Sequence, residues 1–92
     1  MQDKITKQKI NKYLKLTGKA YEKAKKSVNK KKEKQAKEVL IMVKCYISDA
    51  KHFQAKEEYV NSFACINYAH GWLDSGARLK IFNVDDDKLF TI

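Results

Sequence analysis

Fifteen consecutive residues, YVNSFACINYAHGWL at 59–73, carry no Asp, Glu, Lys or Arg, in a chain where 34% of the residues are charged. A helix that is apolar nearly all round has to be covered on most of its sides. At helical spacing, Tyr59, Phe63, Ile66, His70, Leu73 and Ala77 share one face of this segment. Val60, Ala64, Asn67, Tyr68, Gly71 and Trp72 wrap beyond that face. Neighbouring helices cover only part of such a circumference. The remainder is either sheathed by the end of the chain or left as an exposed strip containing Tyr and Trp, which is a mark of association.

The covering surfaces are legible upstream. Ile10, Tyr13, Leu14, Thr17, Tyr21, Ala24 and Val28 recur at spacings of three and four, the stripe of an amphipathic helix. A second stripe runs through Ala36, Val39, Leu40, Val43, Tyr46, Ile47, Ala50 and Phe53. NKKKEK at 29–34 and AKEE at 55–58 interrupt the pattern and read as short links, which favour antiparallel neighbours. There is no proline, and glycine stands only at Gly18, Gly71 and Gly76, so collagen-like, linker-like and turn-rich β classes are excluded.

The predicted fold is therefore all-α, an antiparallel three-helix bundle with a short C-terminal tail. It forms one domain over 1–92, with helices at about 3–29, 33–54 and 58–80. Asp3 is the expected cap of the first helix. Gly76 and Asn83 read as signals of fraying and termination. The tail VDDDKLFTI is expected to turn at Asp85–Asp87 and to fold Leu89, Phe90 and Ile92 back onto the bundle. A domain of 92 residues buries roughly two-thirds of the surface its unfolded chain exposes, enough for one core.

Charge is distributed unevenly. Residues 1–38 hold fourteen lysines against four acids, whereas residues 39–92 are close to neutral, and the whole chain carries +9. Opposite the first apolar stripe lie Lys12, Lys15, Lys19, Lys23, Lys26 and Lys30, a candidate anion-binding face. Glu22 is the sole acid between Asp3 and Glu33. Like charges four apart on a helix cost about 0.2–0.5 kcal/mol per pair, which points to an anionic partner. Two observations weigh against it. Nineteen of the twenty basic residues are Lys, whereas phosphate recognition recruits Arg for its bidentate fork, and lysine enrichment also arises from surface adaptation to heat. Tyr13 and Tyr21 lie on the core side, poorly placed to stack on bases.

Candidate site residues cluster in the third helix. Tyr59, Asn67, Tyr68, His70, Trp72, Asp74 and Arg78 make up the candidate interaction surface. His70 and Asp74 stand four apart, the spacing of a carboxylate that orients an imidazole. With no third ligand nearby, a hydrogen-bonded structural histidine is the expected role, and no metal or catalytic residue is assigned. Asp74 and Arg78 are spaced for an ion pair. Asn61 and Asn67 read as buried polar residues that set helix register. Cys45 and Cys65 fall at similar heights of the hairpin and match neither a zinc pattern nor a redox motif, so free thiols in a reducing cytoplasm are expected.

The segment SDAKHFQAKEEYVNSFACINYAHGWLDSGARL from Ser48 to Leu79, the end VDDDKLFTI, and KYLKLTGKAYEKAK near the start resemble the archaeal family catalogued as domain of unknown function 357. The resemblance implies a compact helical bundle. It carries over no activity, cofactor or catalytic residue. The hairpin at 36–79 also looks in outline like a tetratricopeptide unit or a HEPN-type ribonuclease. The first requires repeats, which are missing. The second is expected to carry an Arg followed closely by a His, whereas Arg78 follows both histidines.

No apolar segment follows the basic N-terminus, and no window approaches the ~20 apolar residues of a membrane span, so neither a signal peptide nor a membrane partner is expected. The sequence thus reads as a non-enzymatic, cofactor-free cytoplasmic module. It would bind a protein partner or form a homo-oligomer through the third helix. The alternative is a nucleic-acid or ribonucleoprotein accessory acting through the lysine-rich first helix.

Overall fold

The computed structural model describes residues 4–91, so Asp3 and Ile92 lie outside the described residues. Helix α1 spans Lys7–Lys25, α2 spans Glu33–Ala55 and α3 spans Tyr59–Arg78. Helix α1 starts later than the expected residue 3 because Thr6 caps it. The Thr6 Oγ1 accepts from the Lys9 amide at 3.1 Å, satisfying one of the free N–H groups of the first turn. It also stops four residues earlier than 29, because the next residues are used differently. Val28 forms an antiparallel bridge with Phe82. The Asn29 amide donates to the Ile81 carbonyl at 2.9 Å, and the Asn83 amide to the Ser27 carbonyl at 2.7 Å.

The lysine-rich link is a clamp on the end of α3. After a single 3₁₀ turn over Lys30–Lys32, α2 begins. Within the link, Lys32 Nζ donates to the Leu79 carbonyl at 2.6 Å and Asn29 Nδ2 to the Lys80 carbonyl at 2.8 Å. These donors meet carbonyls that the C-terminus of α3 leaves unpaired, where positive charge is also favoured by the helix dipole.

Helices α2 and α3 end alike. The Glu57 amide donates to the Gln54 carbonyl and the Glu58 amide to that of Phe53. At α3 the Lys80 amide reaches the Ala77 carbonyl and the Ile81 amide that of Gly76. Both are Schellman caps, and both place a non-glycine residue, Glu57 or Lys80, at φ 60°.

Helices α2 and α3 form the most extensive contact, with α1 laid against both. The larger core cluster joins Ala20, Ala24, Ala36, Val39, Val43, Ala69, Leu73 and Ala77 to Ile81, Phe82, Val84 and Phe90 from the segment after α3. A smaller cluster around Ile10, Ala50 and Ile66 gathers Tyr13, Leu14, Tyr59 and Phe63 at the other end. Much of the centre is alanine, which lets the helix backbones approach closely. The tail does fold back, with Phe90 buried and Leu89 half-buried.

Gly76 corrects an expectation. It is not a point of fraying but a buried position inside α3, facing the fully buried Phe82 ring. A Cβ there would stand 2.6 Å from Phe82 Cδ2 and closer still to Cε2. The missing side chain is the space the ring occupies.

The buried face of α3 runs through Ser62, Ile66, Ala69, Leu73, Gly76 and Ala77. Compared with the face expected from the large residues, it is turned by roughly 50°, at 100° per residue. Ser62, Ala69 and Gly76 occupy the side toward which it is turned, where small side chains allow close packing, and Ser62 Oγ donates to the Ala50 carbonyl of α2 at 2.7 Å. Asn61 and Asn67 are exposed rather than buried, so neither sets helix register from inside the core.

Candidate functional site

Turning α3 in this way leaves its opposite side bare. Val60 is 72% exposed, Tyr68 61%, Trp72 38% and Leu79 60%. Ala64, Asn67, Gly71 and Ser75 lie between them, also exposed. The molecule measures 42 × 24 × 16 Å, too thin for α3 to be enclosed on all sides. Asn67, Tyr68, Gly71, Trp72 and Ser75 line a shallow depression of about 350 Å³. At its edge the Tyr68 ring stacks on Tyr46 of α2 with centroids 5.4 Å apart. Such pairs contribute about 0.5–1.5 kcal/mol beyond burial. Ile41 of α2 is a further exposed large apolar residue, at 51%.

The seven residues singled out on α3 do not form one surface. Asn67, Tyr68 and Trp72 belong to the bare face, and Arg78 is exposed near the helix end. Tyr59 is half-buried against the smaller core cluster. His70 and Asp74 turn toward α1, where Tyr13, Leu16, Thr17, Ile66, Asn67 and Gly71 join them around a groove of about 300 Å³.

There His70 is held from both sides. Its Nδ1 lies 3.1 Å from the Oγ1 of buried Thr17, and its Nε2 3.6 Å from Asp74 Oδ1. The same Asp74 oxygen accepts from the Thr91 amide at 2.9 Å, which ties the tail to the set. Asp74 thus faces His70 and the tail. Among the described residues no ion pair joins it to Arg78. The arrangement ties α1, α3 and the tail together. Among the described residues no group of three or more His, Cys, Asp or Glu is placed to hold a metal ion.

Val60, Ala64 and Gly71, already on the wrapping arc, and Ser75 and Leu79 belong to the bare face but not to the seven residues singled out. The exposure of Ile41 was likewise not expected. Ile41 had a signal, since it stands outside the apolar stripe of α2. Thr17 was placed in the core stripe without a partner, although a hydroxyl among apolar residues calls for one.

The lysine face is exposed as expected at Lys12, Lys15, Lys19, Lys23, Lys26 and Lys30. Only the first four stand within α1, with Lys26 at its C-cap and Lys30 in the 3₁₀ turn. Lys15, Gly18, Lys19, Glu22, Lys23, Lys26 and the tail residue Leu89 line an open depression of about 530 Å³. Lys23 Nζ pairs with Asp86 Oδ2 at 3.0 Å, and Lys25 with Glu22 at 3.6 Å. The bond from Lys23, then that from the Lys88 amide, hold the Asp86 carboxyl below its ordinary pKa.

Both cysteines are free, with Cys45 exposed and Cys65 half-buried. Burial, followed by the charge of Asp49, raises the Cys65 thiol above its usual pKa. No helix among the described residues is long and apolar enough to cross a membrane.

Against known proteins, a family model described as "Protein of unknown function (DUF357)" matches residues 12–82. The acidic tail quoted in the resemblance lies beyond that span. No curated protein and no solved structure matches the chain.

Proposed function

The chain belongs to the DUF357 family, and from that premise we propose that it is a non-enzymatic helical interaction module whose bare α3 face packs against another protein, a second copy of this chain being the first partner to test. The reading rests on one observation. Over Val60, Ala64, Tyr68, Gly71 and Trp72, an exposed helix face is uncharged and largely apolar, and it carries two large aromatic residues. Aromatic anchors of this kind concentrate binding energy in protein interfaces.

Gly71 supports the reading. A glycine in a helix interior costs about 1 kcal/mol relative to alanine. Nothing within the chain lies within 4 Å of where its Cβ would be, so no internal packing accounts for it. With Ser75 it opens a shallow depression beside Tyr68 and Trp72, suited to a helix approaching from outside. The capture of His70 by Thr17 and Asp74 supports a structural rather than catalytic role for that residue. The free thiols fit a reducing cytoplasm.

Light scattering is the direct test. The expected mass exceeds one chain and falls toward the monomer value in Trp72→Ala and Tyr68→Glu. A strict monomer, unchanged by either substitution, refutes self-association through α3.

A further inference from the structure

The lysine depression is independent of the α3 face. We infer that Lys15, Lys19, Lys23 and Lys26 form a binding site for the phosphate backbone of duplex nucleic acid, read without regard to sequence and partly masked by the chain's own Asp86.

Four features support this site. First, its four lysines are only partly compensated, by Glu22 in the lining and by Asp86. Among the described residues only Lys23 of the four pairs with a carboxylate within 4.0 Å. Lys15, Lys19 and Lys23 follow one another at intervals of four, and the helix bears their repulsion. Second, the site has a floor. Gly18 lines the edge of the depression beside the row, with nothing in the chain within 4 Å of its missing Cβ, and Leu89 of the tail lines it too. A chain of phosphates can therefore approach the helix closely.

Third, the protein already seats one anion on the row. Asp86 Oδ1 accepts from the Lys88 and Leu89 amides, which fixes the turn of the tail, and Oδ2 takes Lys23. The carboxylate occupies the place a phosphate oxygen would take. Fourth, the row has length. Lys15 to Lys26 spans roughly 16 Å at 1.5 Å per residue, which suits a linear polyanion better than a single small one.

The chemistry of the row selects among polyanions. Lysine supplies point charges without the bidentate fork of arginine that reads guanine. Tyr13 and Tyr21 are half-buried in the bundle, so no aromatic platform is offered to unstacked bases. A site with charge and no stacking surface fits the backbone of a duplex rather than a single strand.

Fluorescence anisotropy with labelled 20-base-pair DNA and RNA duplexes tests the inference. Each phosphate contact contributes about 0.9 to the slope of log affinity against log salt. With Lys15, Lys19 and Lys26 engaged and Lys23 held by Asp86, binding should weaken about fortyfold between 50 and 200 mM salt. The double substitution Lys15→Ala, Lys19→Ala should lower the slope by about two for every sequence tested.

Asp86→Asn should tighten binding and steepen the slope by about one, because it frees Lys23. Lys23→Gln breaks the same ion pair but removes the cation, so it should weaken binding. Loosening of the tail, common to both variants, cannot produce opposite changes. Helical circular dichroism verifies that each variant is folded. The inference is overturned by absent duplex binding at 50 mM salt, by binding indifferent to the Lys15 and Lys19 substitutions, or by binding of phosphatidylserine vesicles or single strands in preference to duplexes. Equal effects of Asp86→Asn and Lys23→Gln would remove the masking role.

Discussion

At the scale of single residues, the glycines separate by what surrounds them. Gly76 is filled from outside by the Phe82 ring, whereas Gly18 faces open space. Alanine at either position gains about 1 kcal/mol of helix propensity. At Gly76 the added methyl meets a ring with no room to move, and overpacking of this kind costs about 1–3 kcal/mol. Gly76→Ala should therefore lower the thermal midpoint and Gly18→Ala should raise it, as read by circular dichroism melts. A melt of Gly76→Ala at or above the parent value would mean that Phe82 is not seated as described. The sequence alone marked Gly76 as a sign of fraying and carried no hint of the ring above it. What distinguishes them is a residue six positions downstream of Gly76, brought back over it by the turn that ends α3.

At the scale of elements, helix starts and stops depend on hydrogen bonds that composition only partly signals. Neither Schellman cap contains glycine, the residue that ordinarily marks one. Lys80 instead holds a left-handed conformation that costs an L-residue about 1–2 kcal/mol. Lys80→Gly should relieve much of that cost and raise stability by about 1 kcal/mol, measurable by urea unfolding with an unchanged m-value. A loss of stability would show that the Lys80 side chain contributes more than the strain it causes. The same hydrogen bonding explains why α1 ends before its apolar stripe does. Val28 continues the pattern, yet its neighbours pair with the strand-like segment at 81–83, which no helical periodicity announces.

At the scale of the whole molecule, the tail closes the bundle. Ile81, Phe82, Val84 and Phe90 complete the larger core cluster, and Asp86 and Asp74 tie the same segment to α1 and α3. Because the Asp86 pKa is lowered on folding, its contribution to stability is present above the ordinary carboxylate value of 3.8 and is lost as pH falls through the lowered value. Unfolding midpoints should thus drop in that acidic window, and Asp86→Asn should show a smaller drop. An identical acid response in parent and variant would place the titration elsewhere. What the sequence determined by itself was local: three apolar periodicities, two polar links and a run of lysines opposite a stripe. These were enough for helices, their order and an outward lysine face, because each depends on spacing within one segment. Which arc of α3 is covered was decided only in three dimensions. An almost uniformly apolar helix has no preferred side in its own pattern, and the side chosen was the one whose small residues let α2 and the returning tail come closest, leaving Tyr68 and Trp72 toward solvent.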